Sequence, residues 1–404
     1  MQIFVKKSVP ILVWIYNLFL FVLSKFFLVS NKLNKKQIIK KLDPNHDSVI
    51  INAVDKFIEN VNANNLNLST IFFIKSEVNR TISNRKKFFQ HFNTRPDLKK
   101  IKLSNLIFII GLPRTGTTEL QKMFSFLDNH RVLQLWELQY PTSFIEGPNA
   151  VKKAKRQTKK YSFLQNFSKP EQKYIHPVET EHPDECFRLL FNSFTSIAVS
   201  SALGLDDYEK WVLQTDMLET YKEYKDQLKI LFQTEPDKNL ILKAPEHLWN
   251  LDTLTEVFPK ARFIMTHRDP LKSIASYSSM ISMFRRTAYK KPNFEKLGLY
   301  VTNIFQQGLS SAYRVRKKTE TKSEFIDVHC DDIKNNQIKT FMNICKELNI
   351  NIDNNNLKKL KEYVLKKTMG PKLSHGYIYK DYGIDKKLIK DKFKFYDHHR
   401  YLLT

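Results

Sequence analysis

From Gly111 to Thr118 the chain reads GLPRTGTT. Gly111 and Gly116 bound a short loop that carries one guanidinium, Arg114, and three hydroxyls, Thr115, Thr117 and Thr118. The glycine spacing is that of the nucleotide phosphate loop G-x-x-x-x-G-K-[ST], but Thr117 stands where that loop has its lysine. A nucleoside triphosphatase needs this lysine at the β- and γ-phosphates and a Ser or Thr on magnesium. The set here suits a singly substituted phosphate and a neighbouring anionic group, without a metal. Two further cations stand at comparable places. Lys243 closes the apolar run NLIL, and Arg268 follows RFIMT in the sequence HRDP.

Stepping outward, each of these residues sits where a strand should end and a helix begin. Leu106–Ile110 is a continuous apolar run, and Leu120, Met123, Phe124 and Leu127 after the loop fall at helical spacing. A strand, a glycine loop and a helix N-terminus gather backbone N–H groups and the helix dipole around an anion. The run Asn239–Leu242 predicts a second strand, with APEHLWNL opening a helix that ends near Phe258–Pro259. Arg262–Thr266 predicts a third, with a helix from Leu271 through Ser282. The fold class is therefore α/β, a mainly parallel central sheet flanked by helices, with a helical N-terminal extension and helical insertions at about 140–235 and 284–320. Ligands bind beyond the carboxyl ends of such strands, so Arg114, Lys243 and Arg268 are expected to converge on one anionic site.

At these residues the chain resembles the sulfotransferases that use 3′-phosphoadenosine-5′-phosphosulfate (PAPS), which share a P-loop NTPase-like α/β fold. GLPRTGTT resembles their loop for the 5′-phosphosulfate, so Pro113, Arg114, Thr115, Gly116, Thr117 and Thr118 are implied donor contacts. Arg268 and Ser276, in HRDPLKSIAS, resemble the pair that holds the 3′-phosphate, and His375 is expected to join them or close the site. Lys243 in LILKAPEHL is similar to the strand-end lysine that assists the leaving group. LWELQYP at 135–141, HPVETEHPDECFRLLFNSF at 176–194 and HGYIYKDYGID at 375–385 are similar to the sulfotransferase-like branch common in bacteria. The resemblance covers about residues 100 to 400.

One departure bears on mechanism. Aryl and steroid sulfotransferases place a catalytic histidine two residues after the strand-end lysine, and here that place is Pro245. In the tyrosylprotein and heparan types the base is a glutamate some twenty to thirty residues after the loop. Glu137 fits that placement, which makes Glu137, Lys243 and Arg114 the expected catalytic residues. The alternative base lies in the cluster His176, Glu179, Glu181, His182, Asp184 and Glu185, where Asp184 could equally cap a helix from Cys186. The implied reaction moves a sulfuryl group from PAPS to a hydroxyl or amine on a glycan, lipid or small molecule. Rival readings are a P-loop-type small-molecule kinase or nucleotide-binding protein, which the missing lysine opposes, and an inactive scaffold, which the retained Arg114, Lys243, Arg268 and Ser276 oppose.

Composition sets the outer bounds. At 404 residues, with 42% hydrophobic and 13% aromatic residues, the chain has material for a large core and is not disordered throughout. Three cysteines, Cys186, Cys330 and Cys345, exclude a disulfide scaffold and match no zinc spacing. A net charge of +25 attracts phosphates, sulfates and anionic lipid heads. No nucleic-acid recognition motif accompanies it, so nucleic acid is not an expected partner. The basic stretch KKAKRQTKK, 152–160, reads as a solvated helix face or a surface for lipid heads or an anionic glycan.

Three regions are expected: 1–30, a membrane anchor or apolar helix; 31–100, a helical extension; and 101–404, the sulfotransferase domain. VPILVWIYNLFLFVLS, 9–24, is almost free of charge, and with 26–29 it makes about twenty residues, barely enough to span a ~30 Å hydrocarbon core. The reading is an uncleaved anchor, with a helix packed on the body or lying in the interface as alternatives. Lysines 25, 32, 35, 36, 40 and 41 after the segment lean the body toward the cytoplasm, or toward the Golgi lumen in a eukaryote. Ile50, Val54, Phe57, Ile58 and Val61 predict an amphipathic helix behind it.

Overall fold

A computed structural model describes residues 2–26, 30–103, 105–319, 324–369 and 374–396. Five strands form one wholly parallel sheet: β2 (Leu106–Gly111), β3 (His130–Val132), β4 (Asn239–Lys243), β5 (Arg262–His267) and β6 (Phe325–His329), in spatial order β3-β4-β2-β5-β6. The three strands read from sequence are the three central ones. β2 lies in the middle because it is apolar on both faces. Leu106, Phe108 and Ile110 enter the larger core, while Ile107 and Ile109 enter the smaller one beneath the Thr117–Phe124 helix. That alternation is the two-residue period of a strand buried on both sides. An aromatic row crosses the sheet, with Phe108 stacked on Phe263 at 5.7 Å and Phe263 on Phe325 at 4.9 Å.

The connections set where a ligand can go. From β2 the chain passes over to β3 at the edge and returns through β4, then crosses β2 to reach β5. The strand order therefore reverses beside β2, and a crevice opens at its carboxyl end, flanked by the ends of β4 and β5. After β4 the chain departs from the expected α-helix. Pro245–Asn250 is a 3-10 turn, and the α-helix begins only at Leu251. Proline at the first turn position is compatible with the tighter helix. This turn buries His247, whose Nδ1 meets the Tyr221 hydroxyl at 2.8 Å and whose Nε2 meets Cys186 Sγ at 3.2 Å.

The N-terminal region is helical as expected, and Ile51–Ala63 buries Val54, Phe57, Ile58 and Val61. Two features were not foreseen. β1 (Gln2–Phe4) pairs in parallel with β7 (Ser374–Gly376), a two-stranded ribbon joining the ends of the described chain, with the Phe4 ring filling the space over Gly376. Arg286, fully buried, fixes the arm that follows. It donates to the Lys6 carbonyl at 2.6 Å and bidentately to Glu171.

The apolar helix runs Ile11–Phe26, 16 residues, and no helix among the described residues is long and apolar enough to cross a membrane. At ~1.5 Å per residue it reaches only about 24 Å. Residues 27–29 of the expected span lie outside the described residues. Asn17, awkward in a span, has a local use. Its amide donates to Val13 O at 2.9 Å, and its oxygen accepts from Ser69 N at 3.1 Å, in the first turn of the Leu68–Thr94 helix.

Burial holds the His247 imidazole down to about 3, against ~6.5 when solvated. The unfolded chain therefore takes up this proton first as pH falls. The group's contribution to stability is whole above about pH 6.5 and is lost toward pH 3. In urea denaturation, the stability gap between wild type and His247→Gln should narrow below pH 6.5 by up to about 1.4 kcal/mol per pH unit. A constant gap would contradict a neutral buried ring.

Candidate active site

The loop after β2 is shaped by close approach. Gly111 has φ of 137°, and a Cβ there would sit 2.6 Å from the Thr266 carbonyl oxygen, so β2 and β5 meet only because this residue is glycine. Gly116, φ 96°, turns the chain into the Thr117–Phe124 helix. Arg114 itself is left-handed at φ 72°, a conformation that costs a non-glycine residue energy and that the surrounding bonds must impose. Its Nε donates to Ser276 Oγ at 3.2 Å and its Nη1 to the Ile175 carbonyl at 3.0 Å. Thr115 is buried, donating to Leu112 O at 2.6 Å and meeting Thr266 Oγ1 at 2.5 Å. Its side chain therefore ties the loop to β5 and does not face a ligand.

Arg268, one residue past β5, donates from Nη1 to the carbonyl of Arg114 at 2.7 Å. Ser276, on the Pro270–Ala288 helix, meets His375 Nδ1 at 3.3 Å, and Ser279 meets His375 Nε2 at 2.9 Å. The expected quartet Arg114, Arg268, Ser276 and His375 is thus a single hydrogen-bonded cluster. It is strongly positive. Burial and then the neighbouring Arg268 pull the Arg114 guanidinium down to about 10, and burial with the two arginines pushes His375 to about 3. Two guanidiniums crowded together, with no carboxylate in ion-pair contact among the described residues, make a site that an anion relieves. A phosphate-bearing donor fits this observation.

Lys243, the last residue of β4, is 1% exposed and reaches Thr118 Oγ1 at 3.4 Å and Glu185 Oε1 at 2.8 Å. The segment carrying Glu185 is laid alongside 133–136 by backbone bonds, Leu135 N to His182 O at 3.1 Å and Asp184 N to Leu133 O at 3.1 Å. Cys186 N then bonds the carbonyl of Lys243 at 3.0 Å, which stations Glu185 over the end of β4. Cys186 is buried and its thiol pushed up to about 12, which makes it an inert packing residue.

The expected base is corrected here. Glu137 is 4% exposed, and both its oxygens are engaged, one by Arg131 Nη2 at 2.6 Å and the other by Gln134 N at 2.7 Å in a reciprocal capping box. It neutralises a buried arginine of β3 and does not line the cavity. In the alternative cluster, Glu179 with His182 and Glu181 with Lys155 are exposed surface pairs, and Asp184 is held by Arg188 at 3.1 Å. Glu185 and His176 remain, and both line the cavity. Burial lowers the His176 imidazole, leaving it neutral near pH 7.

That cavity has a volume of about 1170 Å³, above the ~300–1,000 Å³ usual for a single small ligand. Arg114, Thr117, Thr118, His176 and Glu185 stand together on its wall, and much of the remaining lining is apolar, with Phe72, Phe73, Phe187 and Phe284, though Glu77, Arg80, Gln165 and Arg188 also face it. Two buried ionisable groups on its wall had no signal in the sequence. Lys169 is lowered to about 7 by burial and then by Arg286. Glu246 is raised to about 7 by burial while accepting from Ser196 Oγ and the amides of Ile197 and Ala198, as a cap for the Ile197–Leu203 helix.

Comparison with known proteins places this geometry. Residues 106–354 match the family described as the sulfotransferase family. Omega-hydroxy-beta-dihydromenaquinone-9 sulfotransferases of Mycobacterium bovis and Mycobacterium tuberculosis are each 26% identical over 214 residues, which is 49% of this chain and 51% of theirs. The chain thus matches about half the length of these curated relatives. The fold is that of two solved structures. Sulfotransferase STF1 from Mycobacterium tuberculosis has TM-score 0.70 at 19% identity, covering 96% of this chain and 99% of that one. Sulfotransferase STF9 from Mycobacterium avium has TM-score 0.73 at 17% identity, covering 87% and 95%.

Removing the Glu137 carboxylate should act on stability. Glu137→Ala leaves the buried Arg131 with Glu235 as its one carboxylate partner among the described residues, besides the Leu231 carbonyl and Thr234 hydroxyl, and should cost up to about 3–5 kcal/mol in denaturant unfolding. Anion binding by the protein that remains folded should be unchanged. A variant of wild-type stability would restore Glu137 to the list of free carboxylates.

Proposed function

The chain belongs to the sulfotransferase family, and from that premise we propose that it transfers a sulfuryl group from PAPS to a hydroxyl at the end of a long, largely apolar acceptor. The observation that carries the reading is the Lys243–Glu185 pair at the end of β4, with the lysine beside Thr118 of the loop and the carboxylate lining the cavity together with Arg114. The name of the mycobacterial relatives, which sulfate an omega-hydroxyl, supports the acceptor class.

PAPS supplies an activated sulfuryl group on a phosphate leaving group. Arg268, Ser276 and His375 hold its 3′-phosphate. Arg114 and the first-turn N–H groups after Gly116 hold the 5′-phosphate, where a helix leaves its amides free to bind an anion. Lys243 lies at the strand end, placed to donate to the oxygen on which charge builds as the sulfur–oxygen bond breaks. The same amine donates to Glu185 Oε1 at 2.8 Å. Drawing Lys243 toward a phosphate releases the Glu185 carboxylate, which takes the proton of the acceptor hydroxyl as its oxygen bonds to sulfur. The products are a sulfate ester, 3′-phosphoadenosine-5′-phosphate (PAP) and the proton on Glu185. Positioning and charge stabilisation supply most of such a rate, and a general base typically adds 10²–10⁴-fold.

Calorimetry with PAP tests the donor site. The wild type should bind without added metal, and Arg268→Ala should bind about tenfold or more weakly, the loss of a charged hydrogen bond worth ~1.5–3 kcal/mol. With PAPS and a long-chain alcohol, Glu185→Gln should lose about 10²–10⁴ in kcat at nearly unchanged PAP affinity. Binding of ATP–Mg²⁺ in preference to PAP would overturn the reading in favour of a kinase.

A further inference from the structure

As far as it is described, the apolar helix Ile11–Phe26 is not long and apolar enough to cross a membrane, and yet it is not packed away. Of Ile11–Phe26 only Val13 is buried. The flank bearing Val13 and Asn17 meets the Leu68–Thr94 helix, and the rest faces outward, with Trp14 57% and Phe19 56% exposed. A second helix, Pro148–Ser168, presents Phe163 at 66% exposure with Leu164 and Phe167 half exposed, the Phe163 and Phe167 rings stacked. Contiguous exposed aromatic and aliphatic side chains on this scale mark a binding surface.

The two helices meet at the cavity. Tyr16 from the first and Leu164 and Phe167 from the second are each half exposed and also line its wall, so its mouth opens within the apolar patch. The arm before the first helix is fixed in place through Lys6 to Arg286 and Glu171. The surroundings are basic. Lys7 and Lys25 flank the first helix, and Lys152, Lys153, Lys159 and Lys160 stand exposed on the second. Apolar side chains with exposed lysines on the same two helices, in a chain of net charge +25, are complementary to an anionic bilayer surface.

We propose that this patch docks the protein on an anionic membrane, with the Ile11–Phe26 helix lying in the plane of the interface. The acceptor passes from the bilayer directly into the cavity without crossing water. Trp14 and Tyr16 sit at headgroup depth, where amphipathic rings are favoured, and the apolar face enters the acyl boundary as in-plane helices do. The acceptor route rests on the sulfotransferase reading; the docking surface does not.

The test uses the full chain and vesicles of phosphatidylcholine alone or with about one-third phosphatidylglycerol, the anionic component on which lysine attraction depends. The wild type should co-sediment with the anionic vesicles, more weakly as salt rises. Phe19→Glu and Phe163→Glu, substitutions on two separate helices, should each cut that binding at least tenfold while PAP binding reports an intact fold. Transfer to a long-chain alcohol embedded in the vesicles should fall with it, and transfer to a short water-soluble alcohol should not. No vesicle binding by wild type, or equal binding by both variants, overturns the proposal. So does concentration-dependent dimerisation that the same substitutions abolish, which would make the patch a contact between copies. Vesicle binding with no sulfuryl transfer to any alcohol would sink the enzymatic reading and leave the docking surface standing.

Discussion

Two guanidiniums held against each other beyond the end of β2 are the constraint around which the rest is arranged. Arg114 and Arg268 repel, and burial deprives Arg114 of the water that would screen it, which is why its guanidinium is held down near 10. Such an arrangement persists only if the backbone enforces it. Gly111 lets β2 and β5 close to a distance no side chain would allow, and Thr115 locks the loop to Thr266. Arg268 then spends a hydrogen bond on the Arg114 carbonyl. The left-handed backbone of Arg114 is the residue of strain left by that closure, and strain of this kind concentrates where binding of a ligand recovers it.

The opposite sign of charge is supplied one strand away. Glu185 reaches Lys243 because a segment more than forty residues from the phosphate loop is pinned along 133–136 and onto the end of β4. The pair is therefore a product of sheet order: only a strand adjacent to β2 places its terminal lysine within reach of Thr118. Burying an ion pair is expensive, and a pair that shares its lysine with an incoming anion recovers part of that expense on binding. Pro245, two residues after Lys243, starts a tight 3-10 turn, and the carboxylate that meets Lys243 comes from another element.

What the sequence disclosed and what it hid divide along the same line. The Gly111–Thr118 loop, Lys243 and Arg268 each lie at a strand end whose apolar run is local, so their convergence could be read from the order of elements. Ser276 and His375 joined them through the family resemblance alone, the first in HRDPLKSIAS and the second in HGYIYKDYGID. Glu137 misled because distance along the chain from the loop was the only guide. Nothing local announces that Arg131, six residues earlier, needs a buried counterion. The β1–β7 ribbon joins residues some 370 apart and carries no periodicity that a three-residue strand could display. The Ile11–Phe26 helix was recognised as apolar, but its packed flank is marked by Asn17 accepting from Ser69 N, a contact invisible in composition.

The cavity's walls bear on the acceptor. At about 1170 Å³ it exceeds what a sulfated nucleotide's reactive end alone would fill, and much of the further wall is apolar. On the proposed reading, a hydrocarbon chain gains from burial against Phe72, Phe73 and Phe284. The reactive hydroxyl is the one polar group such a molecule must bring. Its natural station is beside Glu185 and His176, where burial keeps the imidazole neutral and the carboxylate is the group already committed to a proton-bearing partner. A mouth bordered by Tyr16, Leu164 and Phe167 then follows the same logic outward, since a chain soluble only in lipid can be admitted only through walls that lipid also wets.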